Sequence, residues 1–149
     1  MKKILLTIIL ITFSTISLSY AIEGERFLQS EEAVKNAAYG HIDAKGLKAL
    51  IDSETFFILL DARGNKWNDS NTLPRAFLAS YENTPEDFET IIPHKETLII
   101  LYCYSFNCPL STKLAQKLVS LGYTNLLEYP GGLKEWRDIA NYPVDDILE

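Results

Sequence analysis

Apolar residues follow two rhythms along this chain. Short, nearly unbroken runs over residues 55–60 and 97–101 have the length and the branched or aromatic content of buried parallel strands, and residues 125–128 make another short strand. Between them, apolar positions recur three and four residues apart, as on one face of a helix. Leu47, Leu50 and Ile51 mark one such face over residues 43–51, with Asp43 as its cap. Phe88, Ile91 and Ile92 mark another over 85–92, where Pro85 suits the first helical position and Pro93 ends the element. Leu114, Leu118 and Leu121 mark a third, opened by Ser111 as N-cap and closed by Gly122.

Polar stretches punctuate these elements. Residues 22–29 form a loosely tied lead-in, and residues 30–38 a short helix capped by Ser30 and stopped at Tyr39-Gly40. Residues 64–73 are rich in Asn, Asp and Ser, a loop of the kind that crosses the carboxyl end of a sheet, and 74–78 form a small strand. Gly131-Gly132 makes a sharp turn into a last amphipathic helix over 133–139, and residues 144–149 are an acidic tail. Strands alternating with helices at this spacing predict one three-layer α/β domain, a mostly parallel sheet with helices on both faces. Ligands of such sheets bind outside the carboxyl ends of the strands. Cys103 and Asp61 fall there.

The amino terminus changes the expected compartment. Lys2 and Lys3, an apolar run over 4–13 and the small residues Ser19 and Ala21 around Tyr20 read as an export signal over residues 1–21; a retained membrane anchor is the rival reading. Cleavage would leave a periplasmic protein with no stable membrane insertion. Net charge over all 149 residues is −6. Losing Lys2 and Lys3 leaves 12 basic and 20 acidic side chains, a net charge of −8, which argues against a nucleic-acid partner.

Chemistry concentrates in one place, since both cysteines of the chain lie at the end of the 97–101 strand and in the loop that follows. Export would put them in an oxidising setting. Cys103, at the strand end, faces a loop that runs into a helix N-terminus, a device for stabilising a thiolate without a histidine base. A packing cysteine is the bland alternative. For Cys108 three roles stay open: a disulfide with Cys103, resolution of a Cys103 adduct, or structure alone. His41 and His94 lie far from the cysteines and read as surface residues, so no metal site and no cofactor is expected.

Several pieces in order resemble the rhodanese-like sulfurtransferase domain, over roughly residues 43–143. Leu59-Leu60-Asp61-Ala62-Arg63 resembles that family's strand ending in Asp-x-Arg, and Leu101-Tyr102-Cys103 its strand delivering the catalytic cysteine. Pro74 and Ala76 are what remains of its Gly-His-Ile-Pro-Gly-Ala segment. Residues 111–122 match the helix after the active loop, and Gly131-Gly132-Leu133-Lys134-Glu135-Trp136 matches the Gly-Gly-x-x-x-Trp ending. The loop departs from the usual form: seven residues separate Cys103 from Ser111, none of them Arg or Lys, and Cys108 stands among them. It is similar to an exported variant with the pattern Tyr-Cys-x-x-x-x-Cys-Pro-x-Ser.

The resemblance implies sulfur transfer from a thiosulfate-like or persulfide donor to a thiol acceptor through a Cys103 persulfide. Its substrate would be a small sulfur-containing anion or a thiol, and a protein thiol is a candidate partner. Tyr104, Ser105, Phe106, Asn107 and Leu110 are expected to line the mouth, with Ser111 orienting the loop. Arg75 is the nearest replacement cation there, unless it is a solvated surface group. Asp61 and Arg63 are expected to brace neighbouring loops, Trp67 to anchor a loop or the core, and Gly131, Gly132 and Trp136 to hold the last helix against the sheet. The rival functions are a thiol–disulfide or persulfide redox protein using both cysteines, and a non-catalytic binding module on the same fold.

Overall fold

The computed structural model describes residues 39–147. The expected export signal over 1–21, the expected lead-in over 22–29 and helix over 30–38, and the last two residues of the expected acidic tail lie outside the described residues. Seven strands and four helices follow in chain order: β1 (Gly40–His41), α1 (Ala44–Asp52), β2 (Ile58–Asp61), β3 (Asn71–Thr72), β4 (Phe77–Leu78), α2 (Pro85–Ile91), β5 (Ile99–Tyr102), α3 (Leu110–Ser120), β6 (Leu126–Tyr129), α4 (Gly132–Lys134) and β7 (Asp145–Asp146). A π-helical turn, Glu135–Ile139, continues α4.

Five strands form one parallel sheet in the order β1-β6-β5-β2-β4. Side-chain alternation divides its core in two. Ile58, Leu60, Ile99 and Leu101 face Phe88 of α2 and Leu114 and Leu118 of α3. Leu59, Ile100, Tyr102 and Tyr129 face Leu47 of α1, Leu133 and Trp136. Every residue of β2 and β5 is buried, and both strands read as apolar runs up to the Asp61 that ends β2. The expected α/β architecture, helices on both faces of a parallel sheet, is the observed one.

Local chemistry sets the element ends. Asp43 accepts a hydrogen bond from the Gly46 amide (2.7 Å) and caps α1 as expected. Thr84 and Asp87 form a reciprocal capping box ahead of Pro85, a device worth about 1 kcal/mol. Gly122, at φ +85°, follows α3 where a left-handed residue closes a helix.

Two expectations are corrected and one is narrowed. Ser111 is not the cap of α3: Pro109 occupies that position, and the Ser111 hydroxyl donates to Glu128 Oε1 (2.6 Å). Of the two places expected for Trp67, loop or core, the core is excluded, the side chain being 62% exposed. The stretch read as an acidic tail contributes β7, which pairs antiparallel with β3 in a second, two-stranded sheet. Asn71 Nδ2 donates to Asp146 Oδ1 (2.7 Å) across that pair, and the Ile147 amide to the Ser70 carbonyl (2.8 Å).

Candidate active site

β5 ends at Tyr102, and Cys103 follows it at the carboxyl edge of the sheet, only 2% exposed. The next residues fold back tightly, with the Cys108 amide donating to the Ser105 carbonyl (2.9 Å). That turn brings Cys108 over Cys103, and the two are joined in a disulfide, their Cα atoms 6.2 Å apart. Of the three roles left open for Cys108, the structure thus holds the disulfide. Pro109 then opens α3 without any side-chain cap. Amides of the first turn therefore have no side-chain cap, which leaves an electropositive helix end.

Gly132 fixes the cysteine from below. It sits at φ +61°, and a Cβ there would collide with the Cys103 carbonyl oxygen and with the Tyr104 backbone. Close approach lets the Leu133 amide donate to the Cys103 carbonyl (3.0 Å) and the Lys134 amide to that of Tyr104 (2.8 Å). The Gly-Gly turn is thus a direct support of the cysteine loop. Trp136, fully buried, secures the same segment through its indole N–H, which donates to the Pro143 carbonyl (2.7 Å).

Beside the cysteines lies a buried polar network. Asp61 and Tyr102 are register partners on adjacent strands, and the Tyr102 hydroxyl donates to Asp61 Oδ2 (2.8 Å). The same hydroxyl accepts from the Leu73 amide (2.9 Å). Arg63 closes on Asp61 through Nε (3.0 Å to Oδ1) and one terminal nitrogen (2.7 Å to Oδ2). It also donates to Asp69 Oδ1 (2.7 Å) and to the Asn71 carbonyl (2.5 Å). Burial alone would lower the Arg63 pKa, but the hydrogen bonds and charge of Asp61 outweigh it and hold the guanidinium charged. Burial and the Asp61 carboxylate push the Tyr102 hydroxyl well above the usual tyrosine range. Through these bonds Asp61 and Arg63 tie the end of β2 to the loop at Asp69 and Asn71.

An open groove of about 350 Å³ runs along the disulfide. Trp67, Tyr104, Pro109 and Leu110 supply its apolar lining, and Arg63 and Asp69 its charged groups. The expected mouth is only partly assembled. Tyr104 and Leu110 join the groove, whereas Ser105 and Asn107 do not line it. Phe106, 68% exposed, turns to another cavity of about 610 Å³, beside His41, Tyr129 and Glu135. Ser111 is buried against Glu128 and has no place in the lining. Arg75 borders a separate cavity with Phe56, Phe57 and Ile58, at the amino end of β2, and its amide donates to Asp145 Oδ2 (3.0 Å). The loop carrying Arg75 therefore leads away from the cysteines, and Arg75 is no replacement cation.

Tyr102, Asp69 and Trp67 are residues of the site that the sequence reading did not assign to it, and Glu128 is the unassigned partner that holds Ser111 out of it. A signal existed for two of them. Tyr102 precedes the cysteine on a buried strand, so its hydroxyl needs an internal partner. Glu128 is the one charged residue in the apolar β6 run, and buried carboxylates require donors. Trp67 and Asp69 lie on an irregular loop whose path follows no period. Among the described residues, no group of three or more His, Cys, Asp or Glu side chains is placed to hold a metal ion. No described helix is long and apolar enough to cross a membrane.

A family model described as the rhodanese-like domain matches residues 43–139. No curated protein matches the chain in sequence. Among solved structures, the BH2092 protein of Bacillus halodurans is 25% identical over 85% of this chain and 86% of its own, with a TM-score of 0.65. The rhodanese-like domain of an Anabaena protein is 23% identical over 74% of this chain and 81% of its own, with a TM-score of 0.60. A thiosulfate sulfurtransferase of Pseudomonas aeruginosa is 17% identical, covering 72% of this chain and 20% of its own, with a TM-score of 0.59. The last two likenesses speak to the fold alone.

Proposed function

The chain belongs to the rhodanese-like domain family, and from that premise we propose that it is a sulfurtransferase whose Cys103 carries sulfur as a persulfide. The observation that carries this reading is the position of Cys103, at the carboxyl end of the parallel sheet, before an uncapped helix N-terminus. In the disulfide no nucleophile exists, so the cycle begins with reduction. Two external thiols open the Cys103–Cys108 bond, leaving two protein thiols and one external disulfide.

Sulfur transfer follows in two balanced steps. The Cys103 thiolate attacks the sulfane sulfur of a donor. With thiosulfate, a new S–S bond forms on Cys103, the old one breaks, and sulfite departs with its electron pair. An acceptor thiol then attacks the terminal sulfur of the Cys103 persulfide, takes it as its own persulfide and returns the Cys103 thiolate. Free amides at the start of α3 favour the charged forms of both intermediates. The disulfide itself favours a second reading, a thiol–disulfide or persulfide redox protein. There Cys108 attacks Cys103 Sγ of the persulfide, re-forms the disulfide and expels hydrosulfide. The setting we propose is exported and periplasmic, on the strength of the leader pattern over residues 1–21.

Mass spectrometry of intact protein separates these outcomes. Reduced protein given thiosulfate or a thiosulfonate is expected to gain one sulfur atom on Cys103, and Cys103→Ser to gain none. Cys108→Ser is expected to load sulfur with no prior reduction. Loading that survives Cys103→Ser would overturn the proposal. Hydrosulfide release from the loaded protein that disappears in Cys108→Ser would select the redox reading.

A further inference from the structure

The two cysteines of the disulfide differ in exposure, although both line the groove. Cys103 is 2% exposed and walled in by the sheet and by Gly132, whereas Cys108 is partly exposed in the groove. Thiol–disulfide exchange needs the attacking thiolate in line with the S–S bond, so access decides which sulfur is struck. The groove also constrains what can approach. Its apolar wall is Trp67, Tyr104, Pro109 and Leu110. Of the five guanidinium N–H groups of Arg63, four are already engaged by Asp61, Asp69 and the Asn71 carbonyl, and its side chain is 2% exposed. Asp69 presents a half-exposed carboxylate beside it. Among the described residues no free cation lines the groove; Lys66 stands outside it, over the Trp67 ring at 5.2 Å.

We propose that this groove is the docking site for an external thiol with an uncharged, apolar or aromatic body, which opens the disulfide by attacking Cys108 Sγ. The inference deepens the proposed function by naming the reductant that primes it. In the step, a bond forms between the external sulfur and Cys108 Sγ, and the Cys103–Cys108 bond breaks. Cys103 leaves with the electron pair as a thiolate, at the sheet end from which the loop runs into the uncapped start of α3. A second external thiol, acting on the mixed disulfide, frees Cys108 and departs as the external disulfide. The division of labour is definite: Cys108 receives the reductant, and Cys103 is released as the sulfur carrier.

Oxidised protein and two thiols of similar acidity test this, with no sulfur donor present. Benzyl mercaptan carries a neutral aromatic body, and 2-mercaptoethanesulfonate an anionic one. Iodoacetamide traps the released thiol, and peptide mapping locates adduct and alkyl group. The expected product carries the benzyl thiol on Cys108 and the alkyl group on Cys103. Opening by benzyl mercaptan is expected to be about tenfold faster than by the sulfonate, an aromatic contact's worth of selectivity. Trp67→Ala, at an exposed position, is expected to erase most of that preference. An adduct on Cys103 or shared between the cysteines, equal rates for the two thiols, or an unchanged preference in Trp67→Ala would overturn the proposal. Sulfur loading of Cys108→Ser, which needs no opening, reports separately on the proposed transferase.

Discussion

Tyr102 is bonded on both sides at a point where neither partner has water to turn to. Its hydroxyl donates a hydrogen bond to Asp61 and accepts one from the Leu73 amide, while Asp61 also pairs with the buried charge of Arg63. Replacing Tyr102 with Phe keeps the ring in the core and removes only the oxygen. The Leu73 amide is then orphaned, and Asp61 loses one of the donors that offset its burial. A net loss of about 2 kcal/mol is expected, the usual cost of an unsatisfied buried group. Urea unfolding measures it, as a lower midpoint at unchanged slope. A loss below about 0.5 kcal/mol would mean that the site admits a water in place of the hydroxyl. Truncating Arg63 to Ala is expected to cost more, about 3–5 kcal/mol, because an unpaired carboxylate remains inside.

Among the elements, the turn from β6 into α4 has the firmest hold on the cysteine loop. Gly132→Ala forces a side chain into left-handed backbone and against the carbonyl of Cys103. An expected loss of about 1–3 kcal/mol follows from the strain, and the displaced cysteine should also slow sulfur loading of the reduced protein. Comparing loading rates at a temperature where both proteins are folded separates displacement from instability. An Ala protein that loads at the wild-type rate would show that the loop relaxes around it. The sequence displays this turn openly, as it does β2, β5 and the helices, because each depends on neighbours in the chain: a glycine pair, an apolar run, a three-to-four repeat. Pairings made by distant segments are not displayed. β3 and β7 are two residues each, with no period to read, and they meet across most of the domain. Ser111 shows the same limit. As a helix opener beside a loop it reads as a cap, and only the neighbouring strand reveals Glu128 as its partner. Arg75 was drawn to the site by its position on a loop, yet that loop passes the opposite end of β2.

At the scale of the whole molecule, the excess of acidic side chains has one organised outlet beside the groove. Asp69 receives Arg63 (2.7 Å) and Arg137 (3.4 Å), and the strand pair β3–β7 ties the following residues to the end of the domain. Burial alone would raise the Asp69 pKa, but hydrogen bonds and charge from Arg63, with help from Arg137, bring it below the usual carboxylate value. The sign of its linkage follows. A carboxyl depressed in the folded state stabilises above its unfolded pKa, about 3.9 for aspartate, and loses that contribution as pH falls through the lower folded value. Wild type should therefore exceed Asp69→Asn in melting temperature at pH 7, and the gap should close below about pH 4 as Asp69 itself takes up a proton. High salt should narrow the gap at pH 7, since Asp69 is half exposed and its pairs are screened. Trp67 stands two residues away on the same loop, so the tie has a functional side. If Asp69 holds the loop against the groove, Asp69→Asn at pH 7 should open its disulfide with benzyl mercaptan more slowly than wild type, and the difference should vanish in Trp67→Ala. Equal rates in wild type and Asp69→Asn would confine the tie to stability and leave the aromatic wall standing by its own packing.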